Sequence, residues 1–180
     1  MTNLLLILLL LVGCDNNYIE TYRVSKTTPA AKNTQIKSTS QNNLKWDTPK
    51  GWIQSSGSKM RLASFNVPYS NGYGDLSIIL LSGDGGGVEA NINRWRGQIN
   101  LEPQILSDIN EITEKRKNEI GEYQIFEIIN NQNKDKAFIC AIIPSTDSTI
   151  FVKLSIPKVG ITSIEKEFLD FCQSFKVLGE

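Results

Sequence analysis

Hydropathy divides the chain into three parts. Leu4 to Val12 is an unbroken apolar run. Asp15 to Asn43 is dominated by Thr, Ser, Asn, Gln and Lys, and its isolated Tyr18, Ile19, Tyr22, Val24 and Ile36 keep no period. From Leu44 onward apolar positions recur with the spacings of strands and helices. Dense apolar and β-branched residues predict strands over Lys59–Val67 and Asp75–Leu81, with Pro68–Gly74 as the turn between them. After Ser82-Gly83-Asp84-Gly85-Gly86-Gly87, residues Val88, Ile92, Trp95 and Ile99 fall on one stripe of a helix, which Pro103 is expected to stop. Four further strands are predicted over Ile109–Lys117, Glu122–Ile129, Lys136–Ile143 and Thr149–Ile156. The last element is a helix, with Thr162 and Glu165 at capping-box spacing and Ile164, Phe168, Phe171, Cys172 and Phe175 on one face.

Several of these strands are apolar at both parities, as in Phe138-Ile139-Cys140-Ala141-Ile142-Ile143, so their sheet should be covered on both faces. Short connections imply mainly antiparallel pairing. The predicted fold class is α+β, in the order β-β-α-β-β-β-β-α, with two helices packed on the sheet. Trp46, Pro49, Gly51 and Trp52 form a Trp-x-x-Pro-x-Gly-Trp opening to this domain. With that element order, the opening resembles the PsbP-like α/β/α sandwich over residues 44–180. That group includes the photosystem extrinsic protein, small Ran-binding import factors and bacterial lipoproteins, which share a shape rather than a reaction, so the likeness implies a fold and no chemistry. The segment Asn91–Gln98 is also similar to a phrase found in lipoproteins of aquatic bacteria.

The apolar run ends in Leu11-Val12-Gly13-Cys14, and a short apolar segment closed by small residues reads as an export signal. It is about half the roughly 20 residues a bilayer span needs. The tetrapeptide resembles the lipobox of bacterial lipoproteins. That resemblance implies cleavage after Gly13, a diacylglycerol on the Cys14 thiol and acylation of its freed amine. One departure from the pattern is that no Lys or Arg precedes Cys14. Two or three acyl chains hold a protein to a membrane, where one gives only marginal binding. Residues 1–13 are then a signal peptide, 14–43 a lipidated cysteine with a polar tether of roughly 30 Å, and 44–180 a single domain. The expected location is the exported face of a cell membrane. Asp15 resembles the inner-membrane retention signal of enteric bacteria, and the choice between inner and outer membrane stays open.

Charge is balanced, with 19 basic and 19 acidic side chains. No net field therefore argues for nucleic acid as a partner. Histidine is absent from the chain, which excludes a Ser/His/Asp triad, a Cys/His dyad and most zinc sites. No catalytic residue, metal ligand or cofactor beyond the covalent lipid is expected. Cys140 and Cys172 lie on apolar faces and are expected to be inert core thiols, although export would permit them to pair.

Two constellations carry recognition chemistry. The loop Gly83–Gly87, with Gly85, Gly86 and Gly87 nearest the helix, can offer backbone N–H groups to an anion or can simply be a tight turn. Asn91, Asn93, Arg94, Arg96 and Gln98 flank Trp95, which shares the apolar stripe and should face the sheet. The expected function is a membrane-anchored, non-catalytic binding or interaction module with an envelope protein as its possible partner. The alternative is a small-molecule or anion-binding module that uses the Gly83–Gly87 loop with Arg94 or Arg96.

Overall fold

The structure is a computed structural model that describes residues 43–133 and 136–178. The expected signal peptide 1–13, Cys14 and the tether as far as residue 42 lie outside the described residues. The chain runs β1 (Leu44–Lys45), β2 (Ile53–Gln54), β3 (Ala63–Tyr69), β4 (Gly72–Ser82), α1 (Val88–Gln98), α2 (Leu106–Glu111), β5 (Glu114–Lys117), β6 (Glu122–Ile129), β7 (Ala137–Pro144), β8 (Ser148–Ile156), α3 (Lys158–Gln173) and β9 (Lys176–Val177).

Period-two alternation decides how these elements layer. On β7, Ile139, Ala141 and Ile143 enter one core, and Phe138, Cys140 and Ile142 enter the other. The same parity continues across the register, with Ala141 opposite Val152 and Ile142 opposite Phe151. Among the described residues the sheet has seven strands in the order β2-β3-β4-β8-β7-β6-β5, every neighbouring pair antiparallel. One face is covered by α3 through Ile164, Phe168, Phe171 and Cys172. Trp52 packs 4.8 Å from the Phe171 ring and Trp46 stacks 5.3 Å from Phe175, so the Trp-x-x-Pro-x-Gly-Trp opening belongs to this core. The opposite face is covered by α1 and α2 through Ile92, Trp95, Ile99 and Ile109. The result is an α+β sandwich of helix, sheet and helix, as the sequence pattern predicts. Each large side chain buried this way stabilises the fold by about 1.5–3 kcal/mol.

Local details depart from the sequence reading. The first hairpin closes on Ser70-Asn71, not over Pro68–Gly74, because Pro68 and Gly74 are themselves paired with Tyr73 and Val67. Pro68 is tolerated there since β2 reaches only Phe65 and Asn66, which leaves that stretch of β3 at an edge. The predicted strand Ile109–Lys117 divides into α2 and the edge strand β5, with Ile109 buried in the α1-side core. Helix α1 ends at Gln98, before Pro103 can act. Leu101 N–H bonds Arg96 O at 3.0 Å and Asn100 N–H bonds Gly97 O at 3.2 Å, with Asn100 at φ 58°, a Schellman motif with asparagine in the left-handed position. Helix α3 starts at Lys158 behind Pro157, so Thr162 and Glu165 sit inside it and form no capping box. The two-residue strands β1, β2 and β9 were absent from the predicted order, and β1 pairs with β9 across almost the whole domain.

Candidate functional site: a cationic cavity beside helix α1

Helix α1 packs on Phe126 and Ile128 of β6, Phe138 and Ile142 of β7 and Phe151 of β8, with the partly buried Ile79 and Leu81 of β4 beside them. Ser64 on β3 and Ser77 on β4 are buried polar positions at this parity. Between the helix and the strands a cavity of about 280 Å³ opens. Its walls are Arg94, Trp95 and Gln98 from α1, Ser77, Ile79 and Leu81 from β4, Phe151 and Lys153 from β8, and Met60 and Arg61 from the turn before β3. Register explains the grouping. Ser77 lies opposite Lys153 and Ile79 opposite Phe151, so all four side chains rise on the α1 side of the sheet. Trp95 meets Phe151 edge to face at 6.2 Å and forms the apolar floor.

Three cations border this space. Arg61 is neutralised by a two-pronged pair with Asp75, at 2.8 and 2.9 Å, and that hydrogen bond holds the guanidinium above its ordinary pKa. Arg94 and Lys153 have no carboxylate partner among the described residues. Arg94 Nη2 donates to Asn91 Oδ1 at 2.7 Å, and Lys153 Nζ donates to Gln98 Oε1 at 2.8 Å. Both acceptors are neutral amides. The Lys153 ammonium also sits 4.6 Å from the centre of the Phe138 ring. Burial pushes its pKa down, and the positive charges of Arg61 and Arg94 push the same way against the opposing pull of Cys140 and Asp75.

The residues singled out by sequence fall into different places. Arg94 and Gln98 line the cavity. Asn91 is buried behind it, and its Nδ2 donates to Gly85 O at 3.0 Å and Gly87 O at 2.7 Å, which locks the glycine loop onto the helix. Asn93 exchanges two 2.8 Å hydrogen bonds with the backbone of Gln104. Arg96 Nε donates to Glu102 O at 2.7 Å, so both of these tie the segment after α1 back to the helix. The loop amides are engaged within the chain as well. Gly83 N–H bonds Asp147 O, Gly85 N–H bonds Ser82 O, Gly86 N–H bonds the Asp84 carboxylate at 2.9 Å and Gly87 N–H bonds Asp84 O. An intramolecular carboxylate thus occupies the place an external anion would take. Gly86 and Gly87 do border a wider hollow of about 690 Å³, but its one charged lining residue is Glu89, and it holds neither Arg94 nor Arg96.

Sequence reasoning missed Arg61, Ser77, Phe151 and Lys153. Lys153 carried a usable signal, being the only charge within Ile150-Phe151-Val152-Lys153-Leu154, a strand otherwise apolar at both parities. Cys140 belongs to the α1-side core and Cys172 to the α3-side core, both are unpaired, and burial pushes both thiols well up. No group of three or more metal-binding side chains exists among the described residues, and none of their helices is long and apolar enough to cross a membrane.

No family model and no curated protein sequence matches the chain. Solved structures do. A Bacteroides thetaiotaomicron protein solved by crystallography aligns at 14% identity and a TM-score of 0.46 over 77% of this chain, which spans only 46% of that protein. The solution structure of cyanobacterial PsbP (CyanoP) from Synechocystis sp. PCC 6803 aligns at 15% identity and a TM-score of 0.51, over 77% of this chain and 89% of that one. This chain, with helices on both faces of an antiparallel sheet, is therefore similar in fold to that cyanobacterial PsbP.

Proposed function

We propose that this chain is a non-catalytic binding module of a bacterial cell envelope, held to a membrane by lipid on Cys14 and binding through the cavity beside α1. The observation that carries the binding half is the pair Arg94 and Lys153, two cations without carboxylate partners among the described residues, facing one cavity lined by Trp95 and Phe151. Such a mixture of apolar wall and a few converging polar groups is what small-molecule sites use. The anchoring half rests on the resemblance of Leu11-Val12-Gly13-Cys14 to a lipobox. The fold likeness to PsbP adds a scaffold and assigns no ligand.

Labelling cells with radioactive palmitate and fractionating them tests the anchor. The wild-type chain is expected to carry label and pellet with membranes, with Cys14 as the acylated first residue by mass spectrometry. Cys14→Ser should carry no label and keep residues 1–13. Unlabelled wild type, or a mature chain with a free Cys14 thiol, would remove the anchor while leaving the cavity reading untouched.

A further inference from the structure

We infer that the cavity beside α1 takes a small amphipathic organic anion, with an oxyanion head between Arg94 and Lys153 and a short apolar body against Trp95, Phe151, Ile79 and Leu81. This deepens the binding reading given above and is independent of the lipid anchor. Charge decides the head group. Arg61 is paired with Asp75, so the cavity border carries two cations with no carboxylate in ion-pair contact among the described residues, held by the side-chain carbonyls of Asn91 and Gln98 and, for Lys153, by the face of the Phe138 ring. An exposed arginine beside an amide is ordinary surface chemistry. A half-buried lysine is not, because desolvating an ammonium costs free energy that a neutral acceptor offsets only in part. A carboxylate or phosphate ester placed between the two would complete both and recover that cost.

Shape decides the rest. About 280 Å³ is at the low end of small-molecule sites and has room for a head with a ring or short chain attached. The edge-to-face Trp95 and Phe151 rings and the Ile79 and Leu81 side chains offer the body an apolar wall. A free inorganic anion would leave that wall wet. A neutral apolar molecule would leave the two cations unanswered.

The full chain, kept in detergent, can be titrated with phenylacetate and phenyl phosphate, alongside phenylacetamide as a neutral isostere and inorganic phosphate as a head without a body. Trp95 emission reports occupancy, assigned by its loss in Trp95→Phe, and thermal midpoint gives an independent readout. At least one of the two aromatic anions is expected to saturate with a Kd on the order of 1 mM or tighter. Phenylacetamide and inorganic phosphate should bind about tenfold more weakly, or not measurably. Arg94→Gln and Lys153→Met should each weaken the anions about tenfold or more. Arg96→Gln, whose side chain points to Glu102 and not to the cavity, should change nothing. Circular dichroism confirms that each variant is folded. Equal binding of phenylacetamide and phenylacetate overturns the anion assignment but leaves a binding cavity in place. Failure of all four probes to move either readout overturns the inference and the cavity reading together.

Discussion

Lys153 rises from the middle of β8 and donates to the side-chain carbonyl of Gln98 on α1 at 2.8 Å, so an ammonium and a neutral amide join the sheet to the helix at the border of the cavity. The folded pKa of Lys153 is held below its ordinary 10.5, first by burial. Between that lowered value and the unfolded value the unfolded chain binds more protons, so this lysine makes stability rise as pH rises through the window. Below the window its penalty is fully present. Lys153→Met is therefore expected to be at least as stable as wild type at pH 7 in urea unfolding. The difference between the two should shrink as pH rises from 7 toward 10.5. A loss of more than about 1 kcal/mol at pH 7 would instead make Lys153 a structural strut.

Asn91 is 3% exposed and closes the glycine loop on the first turn of α1. Asn91→Ala removes the N–H donors to Gly85 O and Gly87 O and the acceptor for Arg94. Leaving Gly85 O without that donor, and Gly87 O with only the residue-91 backbone N–H at 3.4 Å, should cost about 1–3 kcal/mol. Urea unfolding measures the loss, and hydrogen exchange should locate it at residues 83–91.

Gly85 is the glycine that sets the loop against the sheet. It holds φ at +61°, and a Cβ there would meet Phe151 Cε2 at 2.5 Å. Gly85→Ala should cost about 1–3 kcal/mol from overpacking, with roughly 1 kcal/mol more from the left-handed backbone. Because Phe151 also walls the cavity, the same variant is expected to alter Trp95 emission.

Cys140 and Cys172 belong to cores on opposite sides of the sheet, and burial raises both thiols. In a chain carrying Cys14→Ser, neither should react with a thiol reagent while the protein is native, and both should react in denaturant. A fast native reaction at either position, or an intramolecular disulfide found by mass spectrometry, would contradict this placement.

The architecture was largely legible because its main elements carry their own periodicity. The stripe Ile92, Trp95, Ile99 needs only helical geometry to find one face, and the two parities of β7 need only the pleat to announce two covers. Elements without a local period were not legible. β5 is Glu-Lys-Arg-Lys at a sheet edge and follows a helix of six residues, so apolar spacing has nothing to register there. β1 and β9 exist only because Leu44 finds Val177.

Sequence alone determined which faces of this chain are apolar, since hydrophobic burial follows spacing along the backbone. It also marked Arg94 and Gln98 as recognition chemistry. Whether a polar group is free or already satisfied was decided only in three dimensions, because hydrogen bonds and ion pairs close between distant residues. Asp84 and Asn91 close the glycine loop on itself, Asp75 takes Arg61 out of play, and antiparallel register carries Lys153 to within reach of Gln98.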